Sequence, residues 1–190
     1  MKLAVGITGA SGSIYAKVLV EALLEQDIVV YVVMTETAKA VFQYELDETP
    51  EEWIERLSKA NENQIFLEDN NNIFAGIASG SFGIDGMIVL PCSMGTLSDI
   101  ANGSAKKLLT RAADVCLKER KKLIICPRET PLSRIHLKNM LAIDEAGGII
   151  LPAMPGFYHK PQTLEEIIKF VVGKVLDVMG ISHDLFEKWS

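Results

Sequence analysis

The sequence predicts an α/β protein built on a doubly wound parallel sheet. Short β-branched runs alternate with longer helical stretches, which is the pattern of strands covered by helices on both faces. The runs are almost continuously apolar, as expected for strands that are buried on both sides. The chain has 190 residues, 48% of them apolar. We therefore expect a single domain spanning residues 1–190 with one sizeable core.

Five strands and seven helices are predicted along the chain. The strands are expected at 2–7, 28–34, 86–90, 122–126 and 148–151. The helices are expected at 12–26, 36–44, 51–60, 93–101, 105–120, 134–146 and 163–179. Thr163 and Glu166 have the spacing of a capping box at the start of the last helix. The acidic, Asn-rich stretch 45–72 is expected to be an excursion with a mobile or partner-dependent tip.

Composition and charge exclude several function classes. A net charge of −6 argues against a general nucleic-acid binder. The apolar runs are strand-length, and nothing resembles a signal peptide or a membrane span, so a cytoplasmic location is expected. The histidines show no metal pairing, and no metal site is expected. The cysteines lack disulfide or zinc spacing and are expected to be small buried residues: Cys92, Cys116 and Cys126.

The turn after the first strand carries glycines at three-residue spacing. Gly6, Gly9 and Gly12 form G-x-x-G-x-x-G, which is neither the dinucleotide-binding G-x-G-x-x-G nor a P-loop. Small residues at a helix N-terminus let backbone N–H groups and hydroxyls approach a phosphate or a flat ring. The turn therefore indicates a nucleotide-like ligand, although a tight strand–helix turn without a ligand has the same pattern.

The strand at 86–90 runs into a second turn that is rich in hydroxyl groups. Pro91 ends the strand, and Ser93 or Thr96 can cap the helix that follows. Free N–H groups and two hydroxyls at a helix start can bind an anion or a carbonyl group. Ordinary capping explains the same residues equally well. Neither this turn nor the first has the G-x-S-x-G pattern, so a serine-hydrolase elbow is not supported.

The strand at 122–126 ends in an arginine and a carboxylate held between two prolines. Arg128 can bind a phosphate through two N–H groups, and Glu129 in a water-poor pocket can have a raised pKa and move protons. The alternative is an Arg–Glu pair on the surface. Because Pro127 and Pro131 make the turn more rigid than a surface loop needs, we favour a functional role.

The loop at 152–161 holds three prolines and one glycine and presents Phe157 and Tyr158. Such a rigid loop can form the wall of an apolar pocket, with the Tyr158 hydroxyl as its polar group. It can also pack against a neighbouring subunit, and both can hold at once.

Arg111 and Lys118 lie seven residues apart on one helix and therefore share a face. Asp114 stands between them at ion-pairing distance along the helix, so spacing alone favours a solvated, salt-bridged face.

The motifs together resemble the flavin prenyltransferase family of the UbiX type over nearly the whole chain. The resemblance is carried by TGASG at 8–12, PCSMGTLS at 91–98, RAAD at 111–114, LKER at 117–120, PRE at 127–129, IHLKNM at 135–140 and PGFY at 155–158. It implies a flavodoxin-like (Rossmann-like) fold and transfer of a dimethylallyl group from dimethylallyl monophosphate to N5 and C6 of reduced FMN. It also implies a homo-oligomer, a dodecamer, that hands prenylated FMN to a UbiD-type decarboxylase.

The resemblance also implies roles for individual residues. Glu129 is implied as the main proton shuttle, Ser11 lies close to flavin N5, and Glu45 is a secondary acid–base group. Since no metal serves the allylic phosphate, protein cations neutralise it. The FMN-binding residues are Gly9, Ala10, Ser11, Thr35, Ser93, Met94, Gly95, Thr96, Arg111 and Arg128. The residues around the prenyl phosphate are Lys118, Arg128, Tyr158 and Lys174, with Trp189 as an aromatic wall.

The chain departs from the family pattern at Ile73, Met94 and Lys174, which bear on the shape of the prenyl pocket. Two other functions stay open. One is a flavin-dependent decarboxylase of cysteine-containing substrates, although residues 36–70 lack the histidine that such enzymes use. The other is a non-catalytic subunit that carries flavin to a phenolic acid decarboxylase.

Overall fold

The fold is one sheet of six parallel strands in the order β3-β2-β1-β4-β5-β6. The computed structural model describes residues 1–187. The strands are β1 Lys2–Ile7, β2 Val29–Met34, β3 Ile65–Glu68, β4 Gly86–Cys92, β5 Lys122–Pro127 and β6 Ile149–Ile150. The prediction of a doubly wound, flavodoxin-like (Rossmann-like) α/β fold is confirmed, with the six-strand order typical of dinucleotide-binding folds.

The helices begin and end within a few residues of the predicted bounds. They are α1 Ser13–Leu24, α2 Glu36–Leu46, α3 Pro50–Ala60, α4 Met94–Ala101, α5 Leu108–Lys118, α6 Arg134–Glu145 and α7 Leu164–Met179. Short 3-10 turns occupy Gly76–Ala78 and Gly80–Phe82. Within residues 1–187, none of the helices is long and apolar enough to span a membrane.

Two hydrophobic cores lie on opposite faces of the sheet. One contains Val5 of β1 together with apolar residues of α1, α2, α3 and α7. The other contains the adjacent Ala4 together with residues of α4, α5 and α6. Successive strand residues point to opposite faces, so every position of β1 after Lys2 is buried. This double burial is why the strand sequences are continuously apolar.

The stretch 45–72 belongs to the fold more closely than the sequence predicts. Trp53 of α3 is fully buried, with its ring 5.0 Å from that of Phe42. Ile65–Glu68 form an edge strand, β3, parallel to β2, which the sequence analysis missed. The strand is only four residues long and exposes Phe66, so it has neither the length nor the apolar continuity of the other strands.

The Asn-rich run after β3 anchors the start of α5 through hydrogen bonds. The Asn70 carbonyl accepts the Leu108 N–H at 2.9 Å, and its side-chain oxygen accepts the Leu109 N–H at 3.0 Å. Lys107 Nζ donates to Asn71 Oδ1 at 2.6 Å. N–H groups in the first turn of a helix have no partner within the helix, and Asn70 supplies two of them with one.

The start of α7 has only half of the predicted capping box. The Thr163 hydroxyl accepts the Glu166 N–H, but the Glu166 carboxylate accepts the N–H of Gln162 rather than that of Thr163. The Glu166 carboxylate thus binds the N–H group one residue before the N-cap.

The strand order places a crevice between β1 and β4. The chain continues from β1 to β2 on one side and reaches β4 on the other, so the connections leave in opposite directions at the carboxyl ends of these two strands. In open α/β sheets, ligands bind at such a switch point. The two turns singled out in the sequence, at 8–12 and 91–96, border this crevice.

Candidate functional site

A buried hydroxyl joins the two turns that border the crevice. Thr8 is 1% exposed; its hydroxyl donates to the Pro91 carbonyl at 2.9 Å and accepts the Ser93 N–H at 2.6 Å. The Thr8 N–H also donates to the Pro91 carbonyl, at 3.2 Å. Sequence reasoning missed this residue. The available signal was a polar side chain placed directly after a buried strand.

The first turn needs glycine at position 9 because it passes close to α2. A Cβ on Gly9 would lie 2.5 Å from Cγ2 of Thr37, closer than any real contact. Next to it, Thr35 donates its N–H to the Ile7 carbonyl, and its hydroxyl accepts the Ala38 N–H at 3.1 Å. The ends of β1 and β2 are thereby held together, with Thr35 beside the glycine turn.

Glu45, from α2, supplies the N-terminal cap that α1 lacks. Gly12 is the N-cap, with φ 114°, and has no side chain to cap the helix. The Glu45 carboxylate accepts the N–H groups of Gly12 at 3.0 Å and Ser13 at 2.8 Å, and it also accepts the Ser11 hydroxyl. Burial raises the pKa of Glu45, but the hydrogen bonds from Ser11, Ser13 and Gly12 outweigh it, so the pKa is lowered. Ser11 is thus paired with an ionised carboxylate.

The second turn combines capping with open space. The Ser93 hydroxyl caps α4 by accepting the Thr96 N–H at 3.4 Å. Met94 and Thr96 are buried, whereas Gly95 is exposed and a Cβ there would meet nothing within 4 Å. The N–H groups of the first turn of α4 therefore lie beside free space, an arrangement suited to carbonyl or phosphate oxygens.

The end of β5 closes the third side of the crevice. Arg128 donates its backbone N–H to the Cys92 carbonyl at 3.2 Å and its Nε to the Ser11 carbonyl at 3.0 Å. Glu129 next to it is exposed, with its carboxylate accepting the Thr130 N–H at 2.9 Å. Arg128 is therefore bound to the first turn rather than paired with Glu129. The ends of β1, β4 and β5 meet around Ser11.

An apolar groove opens beside the Ser11–Glu45 pair. Its volume is about 320 Å³, at the small end of the range for ligand sites. The walls come from α1, α2 and α7, and the lining residues are Ser11, Gly12, Ile14, Glu45, Leu46, Leu164 and Ile168. The crevice thus presents a hydroxyl, a carboxylate, a guanidinium and an apolar surface to one region of space.

Lys118, predicted at the same site, lies near the amino ends of the strands, whereas the crevice lies at their carboxyl ends. It ends α5 and precedes β5, whereas Arg128 follows β5. The six residues of β5 span roughly 17 Å at about 3.3 Å per residue, so Lys118 cannot reach Arg128 of its own chain. It is ion-paired with Glu119 and borders a cavity of about 630 Å³ that Arg120, Lys121 and Lys122 also line.

Arg111 is held on the surface of α5, as its spacing predicted. Its Nη1 lies 2.7 Å from Asp114 Oδ2, and its Nε donates to the Ala78 carbonyl at 3.2 Å. This is the salt-bridged face that the sequence pattern favoured. Within the described residues the polar contacts of Arg111 are thus with Asp114 and Ala78.

Tyr158 lies in the loop before α7, with its ring 5.5 Å from that of Phe170. Lys174 is on α7, one helical turn beyond Phe170. Lys174 is six residues beyond Ile168, the nearest groove-lining residue of α7, so it is about 9 Å away along the helix axis. Its ion pair within the described residues is with Asp177. The predicted aromatic wall, Trp189, lies outside the described residues.

The cysteines are buried and unpaired, as their spacing predicted. Burial raises the pKa of all three thiols, that of Cys116 to about 12, so they are not thiolates near neutral pH,. Among residues 1–187, no three His, Cys, Asp or Glu side chains gather in a way that could hold a metal ion.

Comparison with known proteins identifies the family to which this chain belongs. The Flavoprotein family matches residues 1–176. The flavin prenyltransferase UbiX of Alkalihalophilus pseudofirmus is 49% identical over 191 aligned positions, covering 99% of this chain and 96% of the relative. The chain belongs to the flavin prenyltransferase family.

Two crystal structures of similar proteins extend this assignment. The structure of AnUbiX in complex with FMN and dimethylallyl pyrophosphate has a TM-score of 0.92 and 39% identity, covering 100% of this chain and 97% of that one. A dodecameric FMN-dependent UbiX-like decarboxylase from Escherichia coli O157:H7 also has a TM-score of 0.92, with 42% identity and full coverage of both chains.

The pH dependence of stability tests the Glu45 cap of this flavin prenyltransferase. Because the folded pKa is lowered, the carboxylate stabilises the fold fully above its ordinary value of 4.5 and loses that effect as pH falls through the folded pKa. We expect Glu45→Gln to lower the free energy of unfolding by a constant amount between about pH 7 and pH 5, and by less at lower pH.

Urea denaturation across a pH series measures this difference. Glu62→Gln is the matched control, because Glu62 is exposed in the turn after α3 and caps no helix. A difference between the wild type and Glu45→Gln that stayed constant down to about pH 3 would show that the lowered pKa is not what couples Glu45 to stability.

Proposed function

We propose that this flavin prenyltransferase transfers a dimethylallyl group from dimethylallyl monophosphate to N5 and C6 of reduced FMN. The supporting observation is the meeting of three strand ends around Ser11, which combines a hydroxyl–carboxylate pair with Arg128 and Glu129. The complex of a related protein with FMN and dimethylallyl pyrophosphate supports the two substrate classes. We assign the monophosphate as donor, and the assay below includes both.

We assign FMN to the crevice between β1 and β4, which fits a flat ring with a phosphate tail. Gly9 keeps the first turn flush against α2, and Gly95 leaves free space beside the start of α4. Backbone N–H groups there suit flavin carbonyl or phosphate oxygens. The assigned residues are Gly9, Ala10, Ser11, Thr35, Ser93, Met94, Gly95, Thr96 and Arg128, with Arg111 of a neighbouring copy assisting.

In the proposed mechanism, protein groups stabilise the charges that form when the allylic C–O bond breaks. The reduced flavin supplies the nucleophilic N5 and C6 positions. Cationic side chains stabilise the departing phosphate, and aromatic walls stabilise the positive charge on the allyl group. The bond to C6 would form once the remaining C=C bond of the prenyl group has taken up a proton, and Glu129 would accept the proton released at C6. Ser11, hydrogen-bonded to the Glu45 carboxylate, would face N5 and relay the proton that N5 loses on alkylation.

The phosphate-binding residues act, in this proposal, across subunit boundaries. Lys118 lies a strand's length from Arg128 of its own chain. Tyr158 lies in the loop before α7, and Lys174 lies on α7. The dodecameric relative supports a closed assembly in which neighbouring copies meet. Large apolar side chains are exposed on α6 and on the loops and could be covered there: Ile73, Phe74, Ile135, Leu137, Leu141, Met154 and Phe157.

We further propose that the product serves a UbiD-type decarboxylase, that the assembly is a dodecamer, and that residues 1–190 act as one flavoprotein domain. Three unpaired cysteines are typical of a reducing compartment, which supports a cytoplasmic location.

Mass spectrometry of the flavin tests the reaction. Purified protein is incubated anaerobically with reduced FMN and either dimethylallyl monophosphate or dimethylallyl pyrophosphate. We expect the monophosphate to give a flavin heavier by one C5H8 unit. An unchanged flavin mass with folded, FMN-bound protein would contradict the proposal, and conversion with only the pyrophosphate would overturn the donor assignment.

Glu129→Gln separates the enzyme from a passive flavin carrier. The amide keeps the shape of the side chain but cannot accept the C6 proton, so we expect normal FMN binding and a loss of turnover of about a hundredfold or more. A carrier would keep both flavin binding and activation of the partner decarboxylase. Full prenylation by Glu129→Gln would remove Glu129 from the mechanism.

Mixed assemblies test whether sites are shared between copies. Lys118→Ala and Glu129→Gln are each expected to be nearly inactive. If each site takes Lys118 from one copy and Glu129 from another, random co-assembly restores about a quarter of the sites. Co-expressed, doubly tagged assemblies should therefore regain activity that neither variant has alone. Activity equal to the average of the two single variants would contradict shared sites.

A further inference from the structure

A carboxylate on α7 lies between Lys174, which is assigned to the donor phosphate above, and a buried histidine that the proposed reaction does not use. Asp177 Oδ2 is 3.5 Å from Lys174 Nζ, and Asp177 Oδ1 is 3.3 Å from His183 Nε2. Exposure falls steeply across the three side chains, from 45% for Lys174 to 24% for Asp177 and 3% for His183. A surface cation is thereby connected to a buried, fixed group.

The His183 ring is fixed by its surroundings. Its Nδ1 accepts the Leu185 N–H at 3.2 Å, so in the neutral ring the proton is on Nε2. Nε2 lies close to Asp177 but makes no hydrogen bond within the described residues. The ring packs 5.3 Å from that of Phe186. Against α7 it occupies space that only glycine leaves open, because a Cβ on Gly173 would lie 2.8 Å from His183 Cε1 and closer still to Phe186.

The Asp177 carboxylate restricts where the Lys174 ammonium can lie. A lysine side chain has four rotatable carbons and gives up much conformational freedom when it binds an anion at one point. Asp177 is three residues further along the same helix face. Its carboxylate attracts the ammonium along that face of α7. The Lys174 side chain therefore loses part of its conformational freedom before a ligand binds. At 3.5 Å the contact is loose enough for an incoming phosphate to share the ammonium.

We propose that Asp177, which lies beside the buried His183 ring, is a positioning residue that orients Lys174 toward the phosphate of the prenyl donor. This inference rests on the proposed phosphate-binding role of Lys174. It assigns to the last turn of α7 and to the chain after it, residues 177–186, a part in binding the donor rather than the flavin.

A double-mutant cycle tests the proposal with FMN-loaded protein and dimethylallyl monophosphate as the probe. Calorimetry gives the Kd of the donor, and the prenylation assay gives kcat. Lys174→Ala should weaken donor binding about tenfold or more, because a charged contact to phosphate is lost. Asp177→Asn should weaken it roughly three- to fivefold, as for a partly exposed ion pair, with unchanged FMN affinity and kcat.

The decisive measurement is Asp177→Asn in the Lys174→Ala background. If Asp177 acts through Lys174, the second substitution has no further effect on the Kd of the donor. His183→Gln, which keeps a polar group but loses the anchored ring, should weaken donor binding less than Asp177→Asn and should also have no effect without Lys174. It serves as the second variant if Asp177→Asn folds poorly.

The matched control is Glu165→Gln, which breaks another acid–lysine pair on α7, with Lys169 at 2.7 Å, and should leave donor binding unchanged. Additive effects of Asp177→Asn and Lys174→Ala would overturn the proposal and make Asp177 a structural residue. Unchanged donor binding in Lys174→Ala would overturn both this proposal and the phosphate role of Lys174, while leaving prenyl transfer itself standing.

Discussion

The hydroxyl of Thr8 is the constraint on which the geometry of the site depends. It is buried, it donates to the Pro91 carbonyl, and it accepts the Ser93 N–H, so it fixes the end of β1 against the end of β4. A buried backbone N–H or C=O without a partner is costly, and Thr8 provides partners for both. With that distance fixed, Arg128 can reach the Ser11 carbonyl from β5, and Glu45 can cap α1 from α2.

In the proposed reaction, one chain does not make a whole site. The crevice of one chain holds Arg128, but Lys118 lies at the amino ends of the strands and Lys174 lies on α7. A phosphate leaving from an allylic carbon needs several positive charges close by. Assembly is therefore part of the proposed chemistry, because neighbouring copies would supply the cations that the crevice of each chain lacks.

Patterns local in sequence predicted much of the fold and the turns that border the crevice. Continuous apolar runs identified five strands, and the turns carrying Gly9, Ser93 and Arg128 were found because glycine, proline and hydroxyl residues mark strand ends. Contacts between distant residues were not predictable in this way. β3 is short and half-exposed, Asn70 caps a helix 38 residues later, and Thr8 acts through a partner 83 residues away. Such pairings arise only when the sheet brings them together.

The most direct test of the central claim is the FMN affinity of Thr8→Val compared with Thr8→Ser. Valine keeps the shape of threonine but leaves the Ser93 N–H and the Pro91 carbonyl without their hydroxyl partner, whereas serine retains the hydroxyl. We expect Thr8→Val to weaken FMN binding about tenfold or more, measured by flavin fluorescence titration of folded protein, and Thr8→Ser to bind like the wild type. Wild-type affinity in a folded Thr8→Val protein would show that FMN binding does not depend on the hydroxyl that joins the ends of β1 and β4.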